Sequence, residues 1–67
     1  MKLIFENSYG KERVIAEPKN EEEAFEAIHA FCDERNFRIY YIRTWEHDGR
    51  KTFDVGSHTE FFHLLEE

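Results

Sequence analysis

Asp48-Gly49, set between two runs of β-forming residues, constrains this chain more than any other feature. An Asp-Gly pair is the signature of a two-residue type I′ turn, in which both central residues take positive φ. Residues 37–46 in front of it carry Ile39, Tyr40, Tyr41, Ile42, Thr44 and Trp45, and residues 50–55 return behind it. The turn sets the register. With His47 opposite Arg50, Glu46 falls opposite Lys51, Trp45 opposite Thr52, Thr44 opposite Phe53, Arg43 opposite Asp54 and Ile42 opposite Val55. Two opposite-charge pairs and one aliphatic pair emerge, each contributing about 0.2–1 kcal/mol.

The rest of the chain is read around that hairpin. Residues 2–6 and 13–16 predict two short strands joined through the turn-rich Asn7-Ser8-Tyr9-Gly10, and Pro18 ends the second. Residues 21–35 predict a helix. Asn20 is a good N-cap, Glu23 stands where a capping box needs it, and Glu21 to Glu23 suit the positive end of the helix dipole. Ala24, Ala27, Ile28, Phe31 and Cys32 form one apolar stripe, widened by Phe25. Asn36 suits the left-handed residue that stops a helix. Residues 57–65 admit two structures. Ser57 and Glu60 fit a capping box before a short helix, and Gly56-Ser57 equally fits a two-residue hairpin turn before a strand. Adjacent Phe61 and Phe62 favour the strand. The fold class expected is α+β: an antiparallel sheet of four or five strands, ordered β-β-α-β-β-β, with one helix packed on one face.

With 67 residues there is room for one domain, and its stability margin is thin. Cys32 is the sole cysteine, so neither an intrachain disulfide nor a cysteine zinc cluster can reinforce it. Seven Phe, three Tyr and one Trp supply a core rich in large rings instead. At 36% charged residues, with no apolar targeting run at Met1 to Ile4, the chain is expected in the cytoplasm, away from membranes. A net charge of −6, with Lys11, Arg13, Arg50 and Lys51 interleaved with acids, argues against direct contact with nucleic acid.

One helix covers only one side of a sheet. The register places Tyr40, Ile42, Thr44, Phe53 and Val55 on one side, expected to meet the helix. Phe37, Ile39, Tyr41, Arg43, Trp45, Thr52 and Asp54 fall on the other. Tyr41, Arg43, Trp45 and Asp54 are therefore the candidate partner-binding residues, since Trp, Tyr and Arg dominate interface hot spots. The competing structural role has Trp45 packed on the loop after the first hairpin, with Arg43 and Asp54 as its polar edge. Catalysis is not expected, nor is a cofactor or metal. His58 and His63 lie near Asp54 and Glu60 without a ligand spacing, His29 sits on the helix flank, and Cys32 reads as a small buried hydrophobe.

Two stretches, Leu3-Ile4-Phe5-Glu6-Asn7-Ser8-Tyr9-Gly10-Lys11 and Asp54-Val55-Gly56-Ser57-His58-Thr59-Glu60-Phe61-Phe62, resemble short uncharacterised proteins of bacteriophages and prophages of Gram-positive bacteria. They cover about a quarter of the chain. The resemblance implies a viral origin, action in the host bacterium's cytoplasm, and an inhibitor or modulator of a host protein or defence system; it implies no catalytic residues. The alternative expectation is a homodimeric structural or accessory module, joined through the aromatic face or an open edge strand.

Overall fold

The computed structural model describes residues 1–57 and 59–66. The elements run β1 (Lys2–Glu6), β2 (Glu12–Ala16), α1 (Glu21–Glu34), β3 (Arg43–His47), β4 (Arg50–Asp54) and β5 (Phe61–Leu65). The strands form one five-stranded sheet in the order β2-β1-β5-β4-β3, with every neighbouring pair antiparallel. This is the α+β arrangement expected, with the last segment a strand.

The local chemistry explains each element. Asn7 organises the first loop: its Oδ1 accepts from the N–H groups of Tyr9 and Lys11. Asp48 and Gly49 have φ of 52° and 73°, the two positive values that a type I′ turn demands. The register that follows is the one read from the sequence, from His47↔Arg50 through Arg43↔Asp54. Asn20 caps α1 by accepting from Glu23 N–H, while the Glu23 carboxylate accepts from Lys19 N–H, one residue before the usual capping-box donor. Past the C-terminus Asn36 takes φ of 56°, and Asn36 N–H and Phe37 N–H donate to the carbonyls of Asp33 and Cys32. That pair of bonds is a Schellman motif.

The same motif corrects one expectation. The strand predicted over residues 37–46 begins only at Arg43. The Schellman turn sends Phe37 back under the helix end, where its ring lies 6.4 Å from that of Phe5. Phe37, Ile39 and Ile42 pack against the core cluster while the chain crosses from the helix layer to the sheet edge. The strict alternation of a strand therefore does not apply before Arg43. Phe37 and Ile39, expected on the uncovered side, are half-buried against the core, and Tyr40, expected beneath the helix, is exposed. A second correction concerns the link from β4 to β5. It spans residues 55–60 rather than a two-residue Gly56-Ser57 turn. Ser57 Oγ accepts from Glu60 N–H within it, so the capping-box residues make their bond with no helix behind them.

The core lies between α1 and one face of the sheet. Phe5, Phe62 and Phe53 stand side by side across β1, β5 and β4. Phe31 of the helix meets Phe62 edge-on at 5.6 Å, and Phe25 meets Phe53 edge-on at 5.2 Å. Ala24, Ile28 and Cys32 fill the rest of the contact, with Leu3, Val55 and Leu64 opposite. Lys51, placed opposite Glu46 by the register, bonds instead to Glu21 at the helix start. Phe62→Ala, at the centre of this row, is expected to cost about 3–5 kcal/mol. That is much of the margin of so small a domain. A urea midpoint equal to that of the wild type would contradict this packing.

Candidate functional site

The sheet face away from α1 is the candidate site. Strand pairing orders it into two rows. Val14, Ile4, His63, Thr52 and Trp45 run across β2, β1, β5, β4 and β3; beside them run Glu12, Glu6, Phe61, Asp54 and Arg43. The rows differ in character from end to end, with rings near β3 and a group of carboxylates and an imidazole near β1 and β2.

At the β3 end, Trp45 packs edge-on against Phe61, with ring centroids 6.4 Å apart, and remains 45% exposed. Its ring contact is with Phe61 of the last strand. Arg43 Nη2 donates to Asp54 Oδ2 at 3.0 Å, which raises the pKa of the guanidinium. The arrangement has a buried acid and an exposed base: Asp54 is enclosed and Arg43 open to solvent. Asp54 is also tied to the loop, because its Oδ1 accepts from Gly56 N–H. Tyr41 is not in the sheet but beside it, 5.4 Å from the Arg43 guanidinium and equally 45% exposed. Gly56 makes that position possible. Its φ is +91°, and a Cβ there would lie 3.0 Å from Tyr40 Cβ and 3.1 Å from Tyr41 Cε2. Tyr40 and Tyr41 thus lie over Gly56 and Ser57 around a shallow hollow.

At the β1–β2 end, Glu6 and Glu12 are directly opposite each other. Two carboxylates in that relation repel unless something positive joins them. Arg50 Nη1 donates to Glu12 Oε2 at 2.9 Å, and His63 Nε2 lies 2.7 Å from Glu6 Oε1 and 3.9 Å from Glu12 Oε2. On its other side, His63 Nδ1 is 2.9 Å from Thr52 Oγ1. Both His63 and Thr52 are buried. The ligand atoms of Glu6, Glu12 and His63 all lie within 4.8 Å of one another, which makes them, among the described residues, a group able to hold a metal ion.

The structure brings the expected Arg43, Trp45 and Asp54 together on the uncovered face and sets Tyr41 at their flank. Phe61, which supports Trp45, was missed, because its side of the sheet is visible only once β5 is seen to pair with β4. Of the histidines, His63 joins Glu6 and Glu12 rather than Asp54 and Glu60, and His58 lies outside the described residues. Nothing in the local sequence signals this group, since residues 6 and 63 meet only through β1–β5 pairing. Cys32 is buried, and burial, with Asp33 and Glu60 nearby, raises its thiol pKa. His29 is exposed.

Two stability measurements check this geometry. Thr52→Val leaves the buried His63 Nδ1 without its partner and is expected to cost about 1–3 kcal/mol, with Thr52→Ser recovering most of the loss. Gly56→Ala is expected to cost more than about 1 kcal/mol, since it adds a close contact to an unfavourable φ. Gly49→Ala, where φ is +73° and the space is open, should be milder. Equal thermal shifts for the two glycine variants would mean that Tyr40 and Tyr41 do not press on Gly56.

Comparison with protein-family models, curated proteins and solved structures finds no match to this chain.

Proposed function

We propose that this chain is a small phage-type protein-binding module that acts in the cytoplasm of a host bacterium. It inhibits or redirects a host protein or defence system by docking, not by catalysis. The observation that carries this reading is the half-exposed Trp45, seated on Phe61 at the β3 edge of a sheet face that α1 does not cover. A rigid ring held by one edge, with Arg43 and Tyr41 beside it, has the composition of an interface hot spot. The residues around it are pre-organised: Arg43 is held by Asp54, and Asp54 by Gly56. Little side-chain freedom is then lost on docking.

Charge indicates the kind of protein surface that fits. The chain carries a net −6, and Glu21, Glu22 and Glu23 are exposed at the start of α1. A basic partner would be steered towards it, with an association rate that falls as salt rises. Nucleic acid would be repelled by the same field. No helix among the described residues is long and apolar enough to cross a membrane.

Homodimerisation is the second reading, and β3 is what favours it. Every residue of that edge strand is exposed, and Trp45 stands on it. Sedimentation equilibrium at micromolar concentration separates the two, since a monomer removes the dimer.

The principal test is capture from a bacterial lysate with wild type and Trp45→Ala side by side, followed by affinity measurement on the recovered partner. Trp45→Ala is expected to weaken binding by about 30-fold or more, the equivalent of a hot spot of about 2 kcal/mol. Equal recovery of every partner by both proteins would count against the proposal.

A further inference from the structure

The carboxylate–imidazole group at the other end of the sheet face points to a second site, independent of the docking proposal. We infer that Glu6, Glu12 and His63 bind one divalent transition-metal cation of the Zn²⁺, Co²⁺ or Mn²⁺ type. His63 Nε2 and one oxygen from each carboxylate would supply the ligands.

Three features carry the inference. The first is ligand spacing. Donors on a tetrahedral ion with bonds of about 2.0–2.2 Å sit about 3.4 Å apart. Here His63 Nε2 is 2.7 Å from Glu6 Oε1 and 3.9 Å from Glu12 Oε2, and no pair in the trio exceeds 4.8 Å. Glutamate side-chain torsions can close the remaining difference without moving a strand. The ligands also come from three adjacent strands, β2, β1 and β5, so the backbone holds their spacing.

The second feature is how the imidazole is held. A ligating histidine is oriented by a hydrogen bond to its other nitrogen. Buried Thr52 supplies that bond to Nδ1 at 2.9 Å. A hydroxyl both donates and accepts. Without metal, Nε2–H donates to the Glu6 carboxylate, and Thr52 Oγ1 can either donate to Nδ1 or accept from it. With metal, Nε2 must offer its lone pair, so the ring carries its proton on Nδ1 and donates to Thr52 Oγ1. A carboxylate or carbonyl in place of Thr52 could only accept.

The third feature is charge. Glu6 and Glu12 oppose each other directly across β1 and β2, and among the described residues Arg50 pairs with Glu12. Two carboxylates thus share one guanidinium in a partly enclosed position. A divalent cation between the two carboxylates relieves their repulsion. Arg50 remains outside the trio as the hydrogen-bond partner that fixes Glu12, leaving the remaining lone pairs of that carboxylate for the ion. One imidazole and two carboxylates match a borderline cation better than a soft one, and leave at least one coordination position for water.

The test uses the untagged full chain titrated with ZnCl2, CoCl2 and MnCl2, followed by calorimetry, by thermal unfolding and, for Co²⁺, by its visible absorption. The expected result is one ion per chain for at least one of the three, with a rise in unfolding temperature. Glu6→Gln and Glu12→Gln should each weaken that binding about tenfold or more; circular dichroism matching the wild type shows that both still fold. Thr52→Ser, which keeps the hydroxyl, should bind as the wild type does. The inference is overturned if none of the three ions binds at one per chain. It is overturned equally if both glutamine variants bind as tightly as the wild type, because neither carboxylate would then be a ligand.

Discussion

The insertion of β5 between β1 and β4 is the interaction on which the rest of the structure depends. Without it the chain has two hairpins with no edge in common, β1–β2 and β3–β4. Isolated hairpins are marginal in water. With β5 in place each hairpin gains a full antiparallel partner, and the sheet becomes wide enough for a helix to pack across it. The ends of the chain are thereby joined, since Lys2 pairs with Leu65. Such pairing carries a large loop-closure cost, so the central strand is also the contact expected to form late in folding.

That insertion works on both faces at once because strand side chains alternate. Phe62 and Leu64 point to the helix and complete the ring-rich layer with Phe5 and Phe53. Phe61 and His63 point the other way, where one supports Trp45 and the other reaches Glu6. A slip of one residue would exchange these sets, burying His63 under α1 and exposing Phe62. The strict contrast between the two sets gives the register its specificity.

The uncovered face is neither an unfinished core nor an ordinary solvated surface. Its polar groups are joined in pairs and chains, Arg43 to Asp54 to Gly56 at one end and Thr52 to His63 to Glu6 at the other. Among the described residues no buried side-chain polar atom lacks a hydrogen-bond partner. A chain of 67 residues with one cysteine has few means of holding side chains rigid. Here cross-strand pairing does so, placing an aromatic group and a carboxylate–imidazole group on one surface with little freedom in either. The two proposals use opposite ends of that surface and different chemistry, hydrophobic contact at one and coordination at the other.

The sequence by itself determined the elements whose causes are local. The Asp48-Gly49 turn dictated the β3–β4 register because turn geometry leaves a two-residue loop no other choice, and Arg43 therefore meets Asp54. Asn20 and Asn36 marked the helix ends because capping bonds act within a few residues. The apolar stripe identified the buried side of α1 for the same kind of reason. Only the tertiary structure decided what depends on distant partners. Residues 37–42 have strand-forming side chains, yet Phe37 and Ile39 serve the core, because the Schellman turn and the crossing between layers override propensity. Residues 61–65 suited a strand or a helix, and two open sheet edges settled the matter by offering ladders on both sides. The meeting of His63 with Glu6 and Glu12 has no sequence signature at all: nothing local couples residues so far apart, and strand order alone makes them neighbours.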